Sequence, residues 1–303
     1  MVRHVLTMDD LTSDETREVL RLSADLKHKY KNGTREDLFP RRVMAMLFQK
    51  PSLRTRVSFE TGIRHLGGSS LFLGEDVGWG NRESIEDFSS VLSSYVDLIV
   101  CRAKSHDSVV QLSQYSQCPV INGLTDLSHP CQALADLLTV QEKFGTLEGL
   151  KVAFIGDSNN VSRSLGFACA KLGVDYALAS PEGYTFEASL WDKMRAIPGA
   201  GALVETQDPV EAVQGANVVY TDVWASMGQE SEQAQREADF ENFQVNGSLM
   251  SHAEANAIFL HCLPAHRGLE VSAEVMDGKQ SAVLQQAENR LHAQKGLMAW
   301  LLT

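Results

Sequence analysis

The sequence is short of positive charge, of paired cysteines and of long apolar runs. Lysine and arginine number 27 against 39 acidic residues, for a net charge of −12. No basic stripe offsets that acidic surface, which excludes a general nucleic-acid binder. A few arginines can still focus a local positive field on an anionic ligand. The five cysteines (Cys101, Cys118, Cys131, Cys169 and Cys262) are scattered and form no CxxC pair. That is the pattern of reduced thiols, not of a disulfide frame or a zinc site. No apolar run approaches bilayer-spanning length, and Met1 to Thr7 has no signal-like apolar core. A soluble, cytoplasmic chain without nucleic-acid or membrane partners is expected. A dinucleotide fingerprint is missing too: Gly78-Trp79-Gly80 is half of a GxGxxG, with no third glycine at the right spacing.

What is present is an α/β pattern, written twice. At 303 residues, 44% hydrophobic and 22% charged, the chain has room for two ordinary domains. In the first half, strands are expected at 42–48, 69–73, 96–101 and 119–122, and helices at 11–30, at 84–95, at 106–115 and after Arg54. A break at Gly145–Gly149 precedes a second series. Its strands are expected at 152–155, 175–179, 202–205, 218–220 and 257–260, with a helix at 161–172 and short helical pieces at 208–214 and 251–255. Alternation of this kind predicts parallel sheets, whose ligands collect at the carboxyl ends of the strands.

Several stretches at those ends carry chemistry. Lys50-Pro51-Ser52-Leu53-Arg54-Thr55-Arg56 sits where a strand turns into a helix, so free N–H groups and the positive dipole end offer an anion site. Ser52 and Thr55 add hydroxyls, and Arg54 a planar fork for phosphate or carboxylate. A capped helix with solvated arginines has the same pattern. Arg102 also follows a strand and can point at the same pocket. His129-Pro130-Cys131-Gln132 opens a helix with His129 and Gln132 on one face and Asp136 one turn on. The turn Gly156–Asn160 takes the ligand-facing position of the second series. Asp222 can pair with an ammonium, and Ser226 with the main chain near Gly228 can donate to a carboxylate. His261-Cys262 invites a thiol-nucleophile or metal reading, but neighbours on an extended chain point apart and no further cluster completes a site. Arg290 falls within Ala287–Arg290, expected to open a final helix to Leu302, and is a third candidate anion-binding arginine.

In this order the pieces resemble the aspartate/ornithine carbamoyltransferase family along essentially the whole chain. Ser52-Leu53-Arg54-Thr55 matches the S-T-R-T motif with leucine for the first threonine. His129-Pro130-Cys131-Gln132 matches H-P-x-Q, Asp222 through Gly228 the D-x-x-x-S-M-G loop, and His261-Cys262-Leu263-Pro264 the H-C-L-P motif of the ornithine branch. The resemblance implies two domains, each a parallel sheet flanked by helices, joined by two inter-domain helices. Residues 1–135 would bind carbamoyl phosphate, with 286–303 packing back on them, and 136–285 would bind ornithine. Carbamoyl phosphate would lie on Ser52, Leu53, Arg54, Thr55, Arg102, His129, Gln132, Leu263 and Arg290. Ornithine would lie on Asn160, Asp222, Ser226, Met227 and Cys262.

The implied activity transfers the carbamoyl group to the side-chain amine of L-ornithine, giving L-citrulline and phosphate, a step of arginine metabolism. Arg54, Thr55 and His129 suit the developing oxyanion, and the arginines, Arg102 among them, the phosphate. Cys262 and Asp222 would orient the amine without a covalent intermediate. No metal or organic cofactor is required. The resemblance also implies a homotrimer with shared active sites, in which a side chain near Gly78 reaches a neighbouring subunit. Gly78 offers no side chain, and relatives acting on acylated ornithines use an aromatic residue in this region, where this chain has Trp79.

Overall fold

The structure is a computed structural model, which describes residues 2–80, 82–225 and 230–303. It divides into two compact units: Met1–Leu138 with Glu288–Thr303, and Thr139–Ala287. Each is a parallel sheet flanked by helices.

In the first unit the strands are β1 (Val43–Phe48), β2 (Ser69–Leu73), β3 (Leu98–Arg102) and β4 (Val120–Leu124), in the spatial order β2-β1-β3-β4. All pairings are parallel, with Met44 beside Leu98 and Val43 beside Ser69. Five of the six β1 residues and all of β3 are buried, as sheets covered on both faces require. The helices are α1 (Ser13–Lys31), α2 (Leu53–His65), α3 (Ile85–Tyr95), α4 (His106–Tyr115) and α5 (Pro130–Phe144). Their starts follow local chemistry. Thr12 and Glu15 form a reciprocal capping box on α1, and the Ser52 and Ser84 hydroxyls accept from Thr55 N and Asp87 N.

The second unit holds β5 (Lys151–Ile155), β6 (Asp175–Ala179), β7 (Leu203–Thr206), β8 (Val218–Thr221) and β9 (Ile258–His261), ordered β7-β6-β5-β8-β9. Its helices are α6 (Asn160–Leu172), α7 (Ala188–Arg195), α8 (Pro209–Val213), α9 (Gln233–Asp239), α10 (Gly247–Met250) and α11 (Ala273–Met276). The last helix, α12 (Val283–Leu302), like α5, carries the chain from one unit to the other.

Three expectations need correction. The helical piece expected at 251–255 lies instead at Gly247–Met250, because Asn246 caps it by accepting from Leu249 N. Helices α7, α9 and α11 go beyond the expected set; α7, for one, starts at Glu187 without a side-chain cap, and only buried Leu190, Trp191 and Met194 mark its face. Helix α12 begins at Val283, earlier than Ala287, since buried Ala282 and Val283 lead it in. Arg290 is therefore an interior helical residue and gains nothing from a helix N-terminus.

Both sheets change winding direction once. From β1 the chain moves outward to β2 and then returns to place β3 on the other side; from β5 it moves to β6 and β7 and returns to place β8. Ligands of open parallel sheets bind at such switch points, outside the carboxyl ends of the strands. In the first unit those ends lead to Ser52–Thr55 and Arg102. In the second they lead to Gly156–Asn160 and Asp222–Trp224.

Candidate active site

In the first unit two guanidinium groups converge on Thr55. Thr55 is 1% exposed, and its Oγ1 accepts from Arg102 Nη1 and Arg290 Nη2, each at 3.4 Å. Arg290 Nη1 also donates to Gln132 Oε1 at 2.7 Å, and Gln132 Nε2 donates to Asp136 Oδ1 at 2.8 Å. The amide of Gln132 is thus oriented at both ends, with Asp136, itself fully buried, as its acceptor. Helix α5 supplies the spacing: Gln132 and Asp136 are one turn apart on one face.

The electrostatics are those of an anion site. Burial, then the charges of Arg290 and Arg54, pushes Arg102 down to about 10. Burial and the same cluster, Arg290, Arg102 and Arg54, hold His129 well below the usual histidine range, so its ring is neutral at pH 7. Like charges brought together out of water raise each other's cost, and an anion among them relieves it. The Arg102 Nε is buried and makes no hydrogen bond among the described residues, an orphan donor of the kind such a ligand satisfies. Leu53, by contrast, is 77% exposed. Its side chain takes no part, and only its backbone belongs to the anion turn.

In the second unit the turns after β5 and β8 meet. Gly156 has φ +147°, a conformation that a side chain would strain. Asn159 caps α6 with its Oδ1, accepting from Val161 N and Ser162 N, and its Nδ2 donates to Asp222 Oδ2 at 2.9 Å. Asp222 Oδ1 accepts from Val223 N at 2.8 Å and from the Cys262 thiol at 2.9 Å. Asn160, the expected ornithine ligand, is the first residue of α6, next to the capping Asn159. Sequence reasoning misses Asn159 because an asparagine at a helix start reads as a cap; in the fold it is both cap and partner of Asp222. Ser226 and Met227 lie outside the described residues.

Cys262 and His261 serve different partners. His261 Nδ1 accepts from Leu263 N at 2.9 Å, which leaves the proton on Nε2, 3.3 Å from Glu270 Oε1. Glu270, 1% exposed, also accepts from His266 N. Nothing in the sequence marks this buried carboxylate, since a glutamate in a polar stretch reads as solvated. The donor atoms of Asp222, His261 and Cys262 lie within 4.8 Å of one another, but Nδ1 of His261 already accepts from Leu263 N, and its Nε2 faces Glu270 Oε1 at 3.3 Å. Leu263 has φ +61°, costly for a branched residue, so its conformation is imposed by the loop around it.

Trp79 is 6% exposed and packs among Leu47, Phe88, Ile99 and Val109 of the first unit. Gly78 sits in the left-handed region at φ +71°. The indole belongs to the core of its own domain and is occupied with packing there.

The model of the aspartate/ornithine carbamoyltransferase carbamoyl-P binding domain matches residues 3–142, and that of the Asp/Orn binding domain matches residues 148–301. The chain belongs to the aspartate/ornithine carbamoyltransferase family. Among curated members, an ornithine carbamoyltransferase of Oceanobacillus iheyensis is 51% identical over 303 residues, covering 99% of this chain and 94% of the relative. The "ornithine carbamoyltransferase, anabolic" of Pyrococcus furiosus is 48% identical, covering 99% and 96%. The solved ornithine carbamoyltransferase of Pyrococcus furiosus superposes with a TM-score of 0.95 at 48% identity, covering 98% of this chain and 96% of that one. The transcarbamoylase structure of Giardia lamblia, at 30% identity, still gives a TM-score of 0.91, covering 100% and 98%. The two family domains coincide with the two sheets.

Proposed function

We propose that this chain is an ornithine carbamoyltransferase: it transfers the carbamoyl group of carbamoyl phosphate to the side-chain amine of L-ornithine, giving L-citrulline and phosphate. The observation that carries the reading is the buried cluster around Thr55, where Arg54, Arg102 and Arg290 surround a histidine kept neutral. The phosphate dianion fits those guanidinium groups, and the Ser52–Thr55 amides add donors. Oε1 of Gln132, held by Asp136, is an acceptor for the carbamoyl NH2, as is the Leu263 carbonyl.

The acceptor amine must be neutral to attack. Its lone pair forms a bond to the carbonyl carbon, the carbonyl oxygen takes up negative charge, and the C–O bond to phosphate breaks as the tetrahedral species collapses. One amine proton ends on phosphate. Arg54, Thr55 and neutral His129 donate to the developing oxyanion; a donor already in place stabilises that charge without reorganising. Ordering two substrates contributes much of the remaining rate. Asp222 and Asn159 or Asn160 hold the α-ammonium, Ser226 and Met227 the α-carboxylate, and Cys262 orients the attacking amine through its bond to Asp222. The transfer proceeds with no covalent bond to the protein.

We also propose a homotrimer. Edge strand β2 exposes Leu71 and Phe72, and α2, which packs on it, exposes Leu53 and Val57. An unpaired edge with apolar side chains favours burial against another copy. The expected mass in light scattering is about 100 kDa, three times 33.3 kDa; a monomer mass at assay concentration contradicts it. The five free cysteines, four of them buried, suit a reducing cytoplasm.

The activity is tested by mixing protein, carbamoyl phosphate and ornithine and measuring citrulline and phosphate together. Equal amounts of both, dependent on all three components, are expected. Phosphate without citrulline would refute the acceptor.

A further inference from the structure

One buried charge in the second unit has no part in the chemistry above. Arg236, on the short helix α9, is 7% exposed. Its Nη1 donates to Asp157 Oδ2 at 2.7 Å and to the Trp224 carbonyl at 3.0 Å, and its Nε donates to Glu232 Oε2 at 2.9 Å. The guanidinium stands 5.0 Å from the centroid of the Tyr184 ring, whose hydroxyl donates to Asp239 Oδ2 at 2.8 Å. Trp224 stacks on Phe240 with centroids 5.9 Å apart.

The two groups on Nη1 come from the two turns that build the acceptor side. Asp157 follows β5, two residues before Asn159; Trp224 follows β8, two residues after Asp222. Those strands are neighbours at the switch point, with Ile155 beside Thr221. We propose that Arg236 is a positioning residue for the amino-acid acceptor: by binding Asp157 and the Trp224 carbonyl at once, it fixes the turn after β5 to the turn after β8 and so sets the spacing of Asn159, Asp222 and Cys262. Trp224 is also the last buried residue before Ser226 and Met227, which lie outside the described residues.

A solvated helix charge does not explain the arrangement. Guanidinium desolvation is costly unless several acceptors compensate it, and here they lie on two separate turns. The planar guanidinium fixes the bridge: the two N–H bonds of Nη1 lie in one plane, one for each acceptor, whereas an ammonium carries three donors on a rotating centre and sets no such plane. Burial keeps the Asp157 carboxyl above the usual range even beside Arg236, and the nearby charge of Asp222 adds to this. Without the guanidinium, Asp157 would be an uncompensated carboxylate next to the residue that holds the ammonium.

This inference rests on the proposed reaction with ornithine, and the test separates the two. Wild type, Arg236→Gln, Arg236→Lys, Asp157→Asn and the Arg236→Gln/Asp157→Asn double variant are compared in steady-state assays with each substrate varied. In Arg236→Gln the KM for ornithine rises about tenfold or more, while kcat and the KM for carbamoyl phosphate stay within about twofold. Arg236→Lys recovers part of the loss, and Asp157→Asn shifts the same constant in the same direction. The double variant is no worse than Arg236→Gln alone, because the two groups act as one contact. A merely structural role moves both KM values and kcat together with the melting temperature. Should Arg236→Gln prove insoluble, Arg236→Lys and Asp157→Asn carry the comparison. An unchanged KM for ornithine in the soluble variants, or additive effects in the double, overturns the inference while wild-type turnover leaves the proposed function standing. Failure of wild type to use ornithine overturns both.

Discussion

Replacing Asp222 by asparagine keeps the side chain's shape and removes its charge. The carboxylate accepts from three donors: Asn159 Nδ2 on one oxygen, Val223 N and the Cys262 thiol on the other. An amide has only one oxygen. Set toward Val223 and Cys262, it turns its NH2 against the NH2 of Asn159. Asn159 cannot rotate away freely, because its own oxygen caps α6 through Val161 N and Ser162 N. Losing that cap costs about 1 kcal/mol, and leaving the buried donors opposed costs about 1–3 kcal/mol. The folded protein should therefore lose about 1–3 kcal/mol of stability, or about 2–4 °C in melting temperature per kcal/mol for domains of this size. The proposed ammonium contact is charge-assisted and contributes about 1.5–3 kcal/mol. At about 1.36 kcal/mol per factor of ten, kcat/KM for ornithine should fall about 10- to 200-fold. The KM for carbamoyl phosphate, read at saturating ornithine, should change by less than about twofold. A loss below about threefold, or equal losses for both substrates, would refute the assignment of Asp222 to the acceptor.

Further predictions concern the other groups. Arg290→Met removes the donor to Gln132 and Thr55 and should weaken carbamoyl phosphate binding about 10- to 200-fold by calorimetry; unchanged binding would remove Arg290 from the site. The same change deletes a positive charge near His129, so its imidazole should titrate higher in NMR than in wild type, and an unshifted resonance contradicts the cluster. Cys262→Ser keeps a hydroxyl donor for Asp222 and should retain more activity than Cys262→Ala; equal losses would favour a covalent thiol instead. Stability should fall in acid. Buried His292, near Lys27 and Lys295, is pushed down to about 4, while an unfolded histidine titrates near about 6.5. Below about pH 6.5 the unfolded chain binds the extra proton, so this contribution is complete above that pH and is lost progressively toward about pH 4. In urea unfolding, His292→Leu should flatten the difference between about pH 7.5 and about pH 5; identical pH slopes would contradict an origin in the His292 imidazole.

Most strands were legible because they are short apolar runs bounded by polar residues or glycine, as at Val43–Phe48 before Gln49-Lys50. The anion turn was legible for a similar local reason: Ser52 caps the helix that presents Arg54 and Thr55. What escaped depends on contacts distant in sequence. Arg236 and Glu270 lie in polar stretches that read as surface, yet each is buried by partners on other turns. Asn159 and Asn160 cannot be told apart until Asp222 is placed beside the first of them. Helix α12 starts before its polar residues because Ala282 and Val283 pack inward, a signal that capping rules do not carry. Trp79 reads as a feature of the loop because its neighbours are glycines; only the fold turns its ring into the core.

The central claim, that the second unit selects ornithine, is tested most directly by an acceptor comparison at fixed carbamoyl phosphate. Ornithine, putrescine, N-acetylornithine and aspartate are compared by kcat/KM from phosphate release, with the carbamoylated product identified. Ornithine should be preferred over each of the others by at least about a hundredfold, since each lacks or blocks a group that Asp222, Cys262 or the Ser226 segment would hold. Preference for putrescine or N-acetylornithine would contradict that claim.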